Sequence, residues 1–143
     1  GDWLGEQLGR WWLTTQIRAS DWWVSAVPLS QERFKKRGYN QAERVARAFC
    51  LRTGLHFWDG LVRTRSTVAL HGFTPEERSE ILQNAFRTTR SLKNRRILLI
   101  DDILTTGTTL QLCAQTLKAA GCLQVEGLVV AHPKFLKSAA LQR

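Results

Sequence analysis

The chain has 143 residues, 43% of them hydrophobic and 23% charged, with a formal net charge of +9 from 21 Lys and Arg against 12 Asp and Glu. That length supports one domain around a single core and excludes two full ones, so residues 1–143 are read as a single domain. The longest apolar runs fall far short of the roughly 20 residues that cross a bilayer, and no charged-then-apolar leader opens the chain, so the expectation is a soluble, cytoplasmic protein with no membrane partner.

A chain without methionine that begins at Gly1 reads as a fragment or a processed form. Cys50, Cys113 and Cys122 form no C-x-x-C pair and read as buried thiols. His56, His71 and His132 have no metal-ligand spacing and read as structural or exposed, and no zinc site is expected. The cationic excess favours polyanionic partners, phosphates or nucleic acid. It concentrates at Arg33, Lys35, Lys36 and Arg37, a run that otherwise forms a solvated face.

In chain order, residues 3–17 carry Trp3, Leu4, Leu8, Trp11, Trp12 and Leu13 at helical spacing, which predicts an amphipathic helix. Five of the six tryptophans precede residue 24 and read as a core or interface wedge rather than a base-stacking platform. "DWWVSAVPL" (21–29) predicts a short buried strand stopped at Pro28, which lacks a ladder N–H. The basic stretch that follows reads as a loop or a helical turn. "NQAERVARAFCLRTG" (40–54) predicts a helix with a capping box from Asn40 and Glu43, an apolar face of Ala42, Val45, Ala46 and Phe49, and a stop at Gly54. "LHFWDGLVRTR" predicts a weak strand, and 64–80 a long polar loop holding a helical turn from Pro75.

The strongest strand signal is "ILLI" (97–100), the continuous apolar run of a parallel strand buried on both faces. It runs into Asp101 and Asp102. Leu110, Cys113, Ala114 and Leu117 then repeat at helical spacing up to Gly121, and "VEGLVV" predicts the next strand. Strand, loop, helix, strand implies a parallel α/β sheet.

In such sheets ligands bind beyond the carboxyl ends of the strands, where a strand ending at Ile100 places Asp101 and Asp102. Adjacent carboxylates repel, but together they accept hydrogen bonds from vicinal ribose hydroxyls. Thr105, Thr106, Gly107, Thr108 and Thr109 follow, offering successive backbone N–H groups, hydroxyls and a helix N-terminus to an anion. Carboxylates for sugar beside amides for phosphate fit a ribose 5-phosphate. A receiver domain would need far more chain after the aspartates, and a Walker B strand would need a G-x-x-x-x-G-K-[ST] loop that the chain lacks. A capped strand-to-helix turn with solvated acids is the structural alternative.

"ILLIDDILTTGTT" resembles the phosphoribosyl pyrophosphate (PRPP) motif of type I phosphoribosyltransferases. "VPLSQERFKKRGYNQAERVARAF", "LVRTRST" and "NAFR" resemble the ComF/GntX branch, the competence-type proteins of that family, and the likeness covers about residues 4–131. The resemblance implies a Rossmann-like parallel sheet flanked by helices, with a flexible loop. Asp101 and Asp102 would bind the ribose hydroxyls directly or through Mg²⁺, the implied cofactor, and residues 105–109 would hold the 5-phosphate. Pro28 and Leu29 would form the pyrophosphate loop with Arg37, Asn40 and Gln41 beside it. Arg63 and Arg65 would open the loop that closes over substrate and offset the charge of leaving pyrophosphate, with water excluded from the reacting ribosyl carbon.

Thr105 stands where the 6-oxopurine salvage enzymes have an aspartate base, which counts against hypoxanthine or guanine. Val68, Ala69 and Leu70 follow Thr67, and Ile81 replaces the branch's asparagine, while Arg78 is retained. Leu70 in place of a glutamine removes hydrogen-bonding capacity. The branch's N-terminal four-cysteine zinc segment is absent from this sequence. Two readings follow: transfer of phosphoribose to a nitrogenous acceptor, or a non-catalytic module for nucleotide sensing or DNA uptake. Single-stranded DNA, competence proteins and a second copy of the chain are further candidate partners.

Overall fold

The computed structural model describes residues 1–15, 21–64, 72–103, 107–131 and 139–142. A five-stranded sheet runs in the order β2 (His56–Phe57), β1 (Trp22–Ala26), β5 (Arg96–Ile103), β6 (Gln124–Ala131), β7 (Ala139–Gln142). The first four strands are parallel, and β7 joins antiparallel to β6, an edge that the parallel reading did not contain. β3 (Leu61–Arg63) and β4 (Phe86–Thr88) form a separate antiparallel pair. The predicted strand from Leu55 to Arg65 is therefore two short strands in different sheets, divided where the Trp58 N–H turns back to donate to the Val24 carbonyl at 2.7 Å.

β5 is the centre of the fold and explains its apolar run. Leu98 and Ile100 enter the core shared with α1 (Asp2–Thr14) and α3 (Gln41–Thr53), whereas Ile97 and Leu99 enter the core shared with α5 (Thr108–Ala119). A strand packed on both faces has no polar position to spare. It also runs further than predicted: Asp101 pairs with Val129 and Ile103 with Ala131, so the aspartates belong to the strand's last residues instead of following it.

α3 is capped differently from the expected box. Asn40 Oδ1 accepts from the Ala42 N–H at 3.1 Å, and Glu43 reaches forward to pair with Arg47 at 2.9 Å. Gly54 ends the helix with φ +78°, as its position predicts. The basic stretch is a helix, α2 (Gln31–Arg37), capped by the Ser30 hydroxyl and closed by Gly38. The Thr74–Glu77 capping box starts α4 (Pro75–Gln83), longer than the expected single turn.

The early tryptophans do not act as one wedge. Trp12 and Trp22 pack edge to face in the α1/α3 core, Trp23 lies half-buried on the opposite sheet face, and Trp3 and Trp11 are exposed. Cys50 and Cys113 are buried as read and Cys122 is half-buried; burial pushes the Cys50 thiol up to about 12 and Cys122 to about 11. His56 is exposed, and His71 and His132 lie outside the described residues.

α1 reaches α3 through its glycines. A β-carbon at Gly5 would stand 2.3 Å from the Val45 carbonyl oxygen and 2.6 Å from the Ala48 β-carbon. Gly5→Ala must push the helices apart, at about 1–3 kcal/mol for overpacking, against a helix-propensity gain of about 1 kcal/mol. Urea unfolding is expected to show a lower midpoint at unchanged slope. A raised midpoint would mean that α1 does not dock at Gly5.

Candidate functional site

The C-terminal ends of β1 and β5 open into a cleft of about 540 Å³, lined by the turn at Val27, Pro28 and Leu29, one side of α2, the start of α3, Arg63, the two aspartates and the start of α5. The β1 turn is set by the ladder, since the Val27 N–H still donates to the Ile100 carbonyl at 2.9 Å. Asn40 holds it from the other side: Nδ2 donates to the Val27 carbonyl at 3.1 Å while Oδ1 caps α3. One side chain thus ties the turn to the helix. Asn40→Asp keeps the cap but loses the Nδ2 donor and sets a carboxylate oxygen against the Val27 carbonyl, so it is expected to cost about 0.5–1.5 kcal/mol and to weaken anion binding in the cleft. Asn40→Ala loses the same donor and the cap as well, and is expected to cost about 1 kcal/mol more than Asn40→Asp. Paired thermal melts separate the two.

Asp101 and Asp102 come off β5 into the cleft, and the Asp102 N–H donates to Asp101 Oδ1 at 2.8 Å. Burial, followed by the contact with the Asp102 side chain, pushes the Asp101 carboxyl up to about 7; Arg33 acts in the opposite sense. Gly107 enters α5 in the left-handed conformation, φ +81°, which a glycine adopts without steric cost, and it exposes the helix N-terminus to the cleft. Gly107 and Thr109 line the cleft, whereas Thr108 is exposed on α5 outside the lining. Thr105, Thr106 and Arg65 lie outside the described residues.

Four cations face the two carboxylates across the lining: Arg33, Lys36, Arg37 and Arg63. Arg63 stands at the end of β3 with its guanidinium 5.2 Å from the Phe86 ring centroid, and burial, reinforced by the charge of Arg33, lowers its pKa from the ordinary value. Arg33 and Lys36 were not among the predicted site residues. The signal was present as spacing: 33, 36 and 37 stand at i, i+3 and i+4, one face of a helix, but an exposed basic run reads equally as a solvated surface. The structure brings together Pro28, Leu29, Arg37, Asn40, Gln41, Arg63, Asp101, Asp102, Gly107 and Thr109 from the predicted set.

The arrangement offers two carboxylate acceptors, a helix N-terminus and a cationic wall around one cleft, a fit for a polyhydroxyl compound carrying anionic groups at both ends. Among the described residues no group of three or more His, Cys, Asp or Glu could hold a metal, and no helix is long and apolar enough to cross a membrane.

Known proteins match this pattern. The phosphoribosyl transferase domain family matches residues 35–137. The DNA utilization protein YhgH of Escherichia coli (strain K12) is 36% identical over 116 residues, 79% of this chain and 50% of that protein. Competence protein F of Haemophilus influenzae is 33% identical over 111 residues, 73% of this chain and 48% of that protein. The chain spans about half the length of these curated relatives. Among solved structures, the hypoxanthine phosphoribosyltransferase of Staphylococcus aureus superposes with a TM-score of 0.59 at 17% identity, over 99% of this chain and 68% of that one. The glutamine PRPP amidotransferase of B. subtilis complexed with ADP and GMP superposes with a TM-score of 0.63 at 19% identity, over 92% of this chain and 27% of that one. At such identities the superpositions establish the type I phosphoribosyltransferase fold, and the sequence matches place the chain within it: it belongs to the phosphoribosyl transferase domain family, in the branch that includes competence protein F.

Proposed function

We propose that the cleft binds PRPP and that the chain transfers its phosphoribosyl group to a nitrogenous acceptor. The observation that carries this reading is the convergence on one cleft of the Asp101–Asp102 pair, the Gly107 entry to α5 and the cations of α2. Asp101 and Asp102 accept from the ribose hydroxyls, the α5 N-terminus takes the 5-phosphate, and Arg33, Lys36, Arg37 and Arg63 face the pyrophosphate. In the transfer the acceptor nitrogen's lone pair forms a bond to the anomeric carbon as the bond from that carbon to the pyrophosphate oxygen breaks. The acceptor's proton passes to solvent, and the electron pair leaves with pyrophosphate.

The donor set fits Mg²⁺ only as a hydrated ion shared with substrate oxygens, since it supplies two carboxylates and no cage. Asp101 and Asp102 would hold it, and when bound it would neutralise part of the pyrophosphate charge.

A second reading, a non-catalytic module for nucleotide sensing or DNA uptake, draws on Ile81. This residue is half-buried on α4 and puts an apolar side chain where the branch has a polar asparagine, which removes hydrogen-bonding capacity from that helix. The names of the relatives, a DNA utilization protein and a competence protein, suggest the same direction. Titration calorimetry of PRPP with Mg²⁺, followed by a pyrophosphate-release assay across purine, pyrimidine and amine acceptors, tests both. Binding with release supports transfer, binding without release supports the module, and no binding to the folded protein overturns the site.

A further inference from the structure

A second cavity, of about 190 Å³, adjoins the cleft and shares Pro28, Leu29 and Asn40 with it. Its other walls come from the ends of β1 and β2, the connection from β2 to β3, and the facing sides of α2 and α3. The charge here is opposite to that of the chain as a whole. Glu43 and Asp59 line the cavity and among the described residues no Lys or Arg does, in a chain of net charge +9. Arg47 pairs with Glu43 at 2.9 Å, whereas Asp59 forms no ion pair among the described residues, so Asp59 is the uncompensated charge.

Asp59 is pinned from both sides. The Trp58 N–H donates to the Val24 carbonyl at 2.7 Å, and the Gly60 carbonyl accepts from the Thr89 N–H at 2.9 Å. Ser25 adds a buried polar group: it is 1% exposed, it lines the cavity, and among the described residues its hydroxyl has no hydrogen-bond partner. Its backbone lies in the sheet ladder opposite Leu99, so the hydroxyl is the polar group it offers. A buried hydroxyl left without a partner costs free energy, which a ligand in the cavity recovers. Leu29, Phe34, Phe57 and Leu61 make the rest of the wall apolar, with one face of Phe57 already covered by the Arg47 guanidinium at 4.3 Å from the ring centroid.

We infer that this cavity binds a small organic cation, a primary ammonium on a short apolar body, and that the bound amine steadies the turn shared with the cleft. The second half of this inference rests on the reading of the cleft given above, in which that turn faces pyrophosphate; the first half does not. An ammonium donates three hydrogen bonds and accepts none, which suits two carboxylates and a hydroxyl, and its carbon chain lies against the apolar wall. An anion would meet two like charges. A divalent metal ion takes six or more oxygen ligands and gains nothing from the apolar wall. Because Pro28, Leu29 and Asn40 belong to both cavities, whatever the amine adds to PRPP affinity PRPP adds to amine affinity.

Amide NMR shifts of isotopically labelled protein, titrated with n-butylamine at neutral pH and matched ionic strength, test the site. 1-Butanol, Mg²⁺ and Nα-acetyl-lysine methylamide, the same ammonium as a protein would present it, are the comparison arms. The expected result is saturation by butylamine in the millimolar range, with shifts centred on Ser25, Asp59 and Leu61, none from 1-butanol or Mg²⁺, and no tighter binding of the blocked lysine. Asp59→Asn is expected to weaken the amine about tenfold and Ser25→Ala about threefold, both with amide spectra that show the fold retained. Asp101→Asn with Asp102→Asn, which removes the carboxylates of the cleft, is expected to leave amine binding unchanged. Saturating butylamine is expected to raise PRPP affinity about fivefold in the wild type and not in Asp59→Asn. No saturable shift, equal binding of 1-butanol, tighter binding of the blocked lysine, or loss in the Asp101 and Asp102 variant instead of Asp59→Asn would each overturn the site. Unchanged PRPP affinity under saturating amine would overturn the coupling. PRPP affinity without amine reads the cleft alone, so failure of the cleft and failure of this cavity are distinct.

Discussion

Replacing Asp101 and Asp102 together by asparagine is expected to weaken PRPP binding at least about a hundredfold, since each hydrogen bond to a charged acceptor contributes about 1.5–3 kcal/mol and a tenfold change is about 1.4 kcal/mol. The fold is expected to survive. Asp101 adds a pH dependence whose two halves run in opposite directions. Its carboxyl is pushed up to about 7 from the ordinary carboxylate value of 3.8, chiefly by burial. The native state therefore holds this proton more tightly than the unfolded state, and the stability so contributed is complete below the unfolded value near 3.8 and is lost as pH rises to about 7.

Asp101→Asn cannot ionise, so its melting temperature is expected to gain on the wild type between pH 4 and pH 8. Ligand affinity moves the other way, because a protonated Asp101 accepts fewer hydrogen bonds from a ribose, and wild-type PRPP affinity is expected to fall as pH drops below about 7. Calorimetry and thermal melts across that range read the two trends separately. Unchanged affinity in the double variant would remove the aspartates from the site. A wild-type melting temperature that gained on Asp101→Asn with rising pH would contradict the burial of the Asp101 charge.

The second large effect falls on α2. Arg33→Gln with Lys36→Gln and Arg37→Gln removes three of the four cations facing the cleft, at about 0.5–1 kcal/mol for each partly solvated charge pair. Together that predicts about 30-fold weaker binding of PRPP and of free pyrophosphate. Ribose 5-phosphate, which on the proposed reading contacts the aspartates and α5 and not α2, is expected to change by less than about threefold. The contrast between the two ligands is the test, because a general loss of positive potential would weaken both. Stability is expected to hold, since α2 contains no buried residue and glutamine is close to arginine and lysine in helix propensity. Equal losses for both ligands would mean that α2 supplies only long-range charge.

Much of the fold and half of the site are legible in the chain because they rest on local rules. The run from Ile97 to Ile100 announces a strand buried on both faces, the i, i+3, i+4, i+7 spacing from Leu110 to Leu117 announces a helix, and a strand, loop, helix and strand in that order imply a parallel sheet. The chemistry of Asp101, Asp102 and Gly107 follows from their place at that junction, as does the family likeness of the motif. What the order of residues left open depends on contacts between distant segments. Whether β5 stops at Ile100 or carries its aspartates in the ladder was decided by β6, through the pairing of Asp101 with Val129. The division of residues 55–65 between two sheets was decided by the competition of β1 and β4 for partners. Asn40 caps α3 without the Glu43 half of the expected box, and its grip on the Val27 carbonyl needed a turn 13 residues away.

The charges show the same limit most sharply. An exposed arginine carries no mark of what it faces, because its solvation is nearly the same over a cleft as over bulk water, and so Arg33 and Lys36 read as surface until the β1 turn brought α2 over Asp101. Arg90 and Arg95 read as surface until β1 placed Trp23 beneath them. Sequence determined the main helices, the central strand, the family likeness and the acidic-then-glycine motif at the strand's end; tertiary structure alone decided which cations share a cleft with that motif, since that depends on the path of the backbone between them.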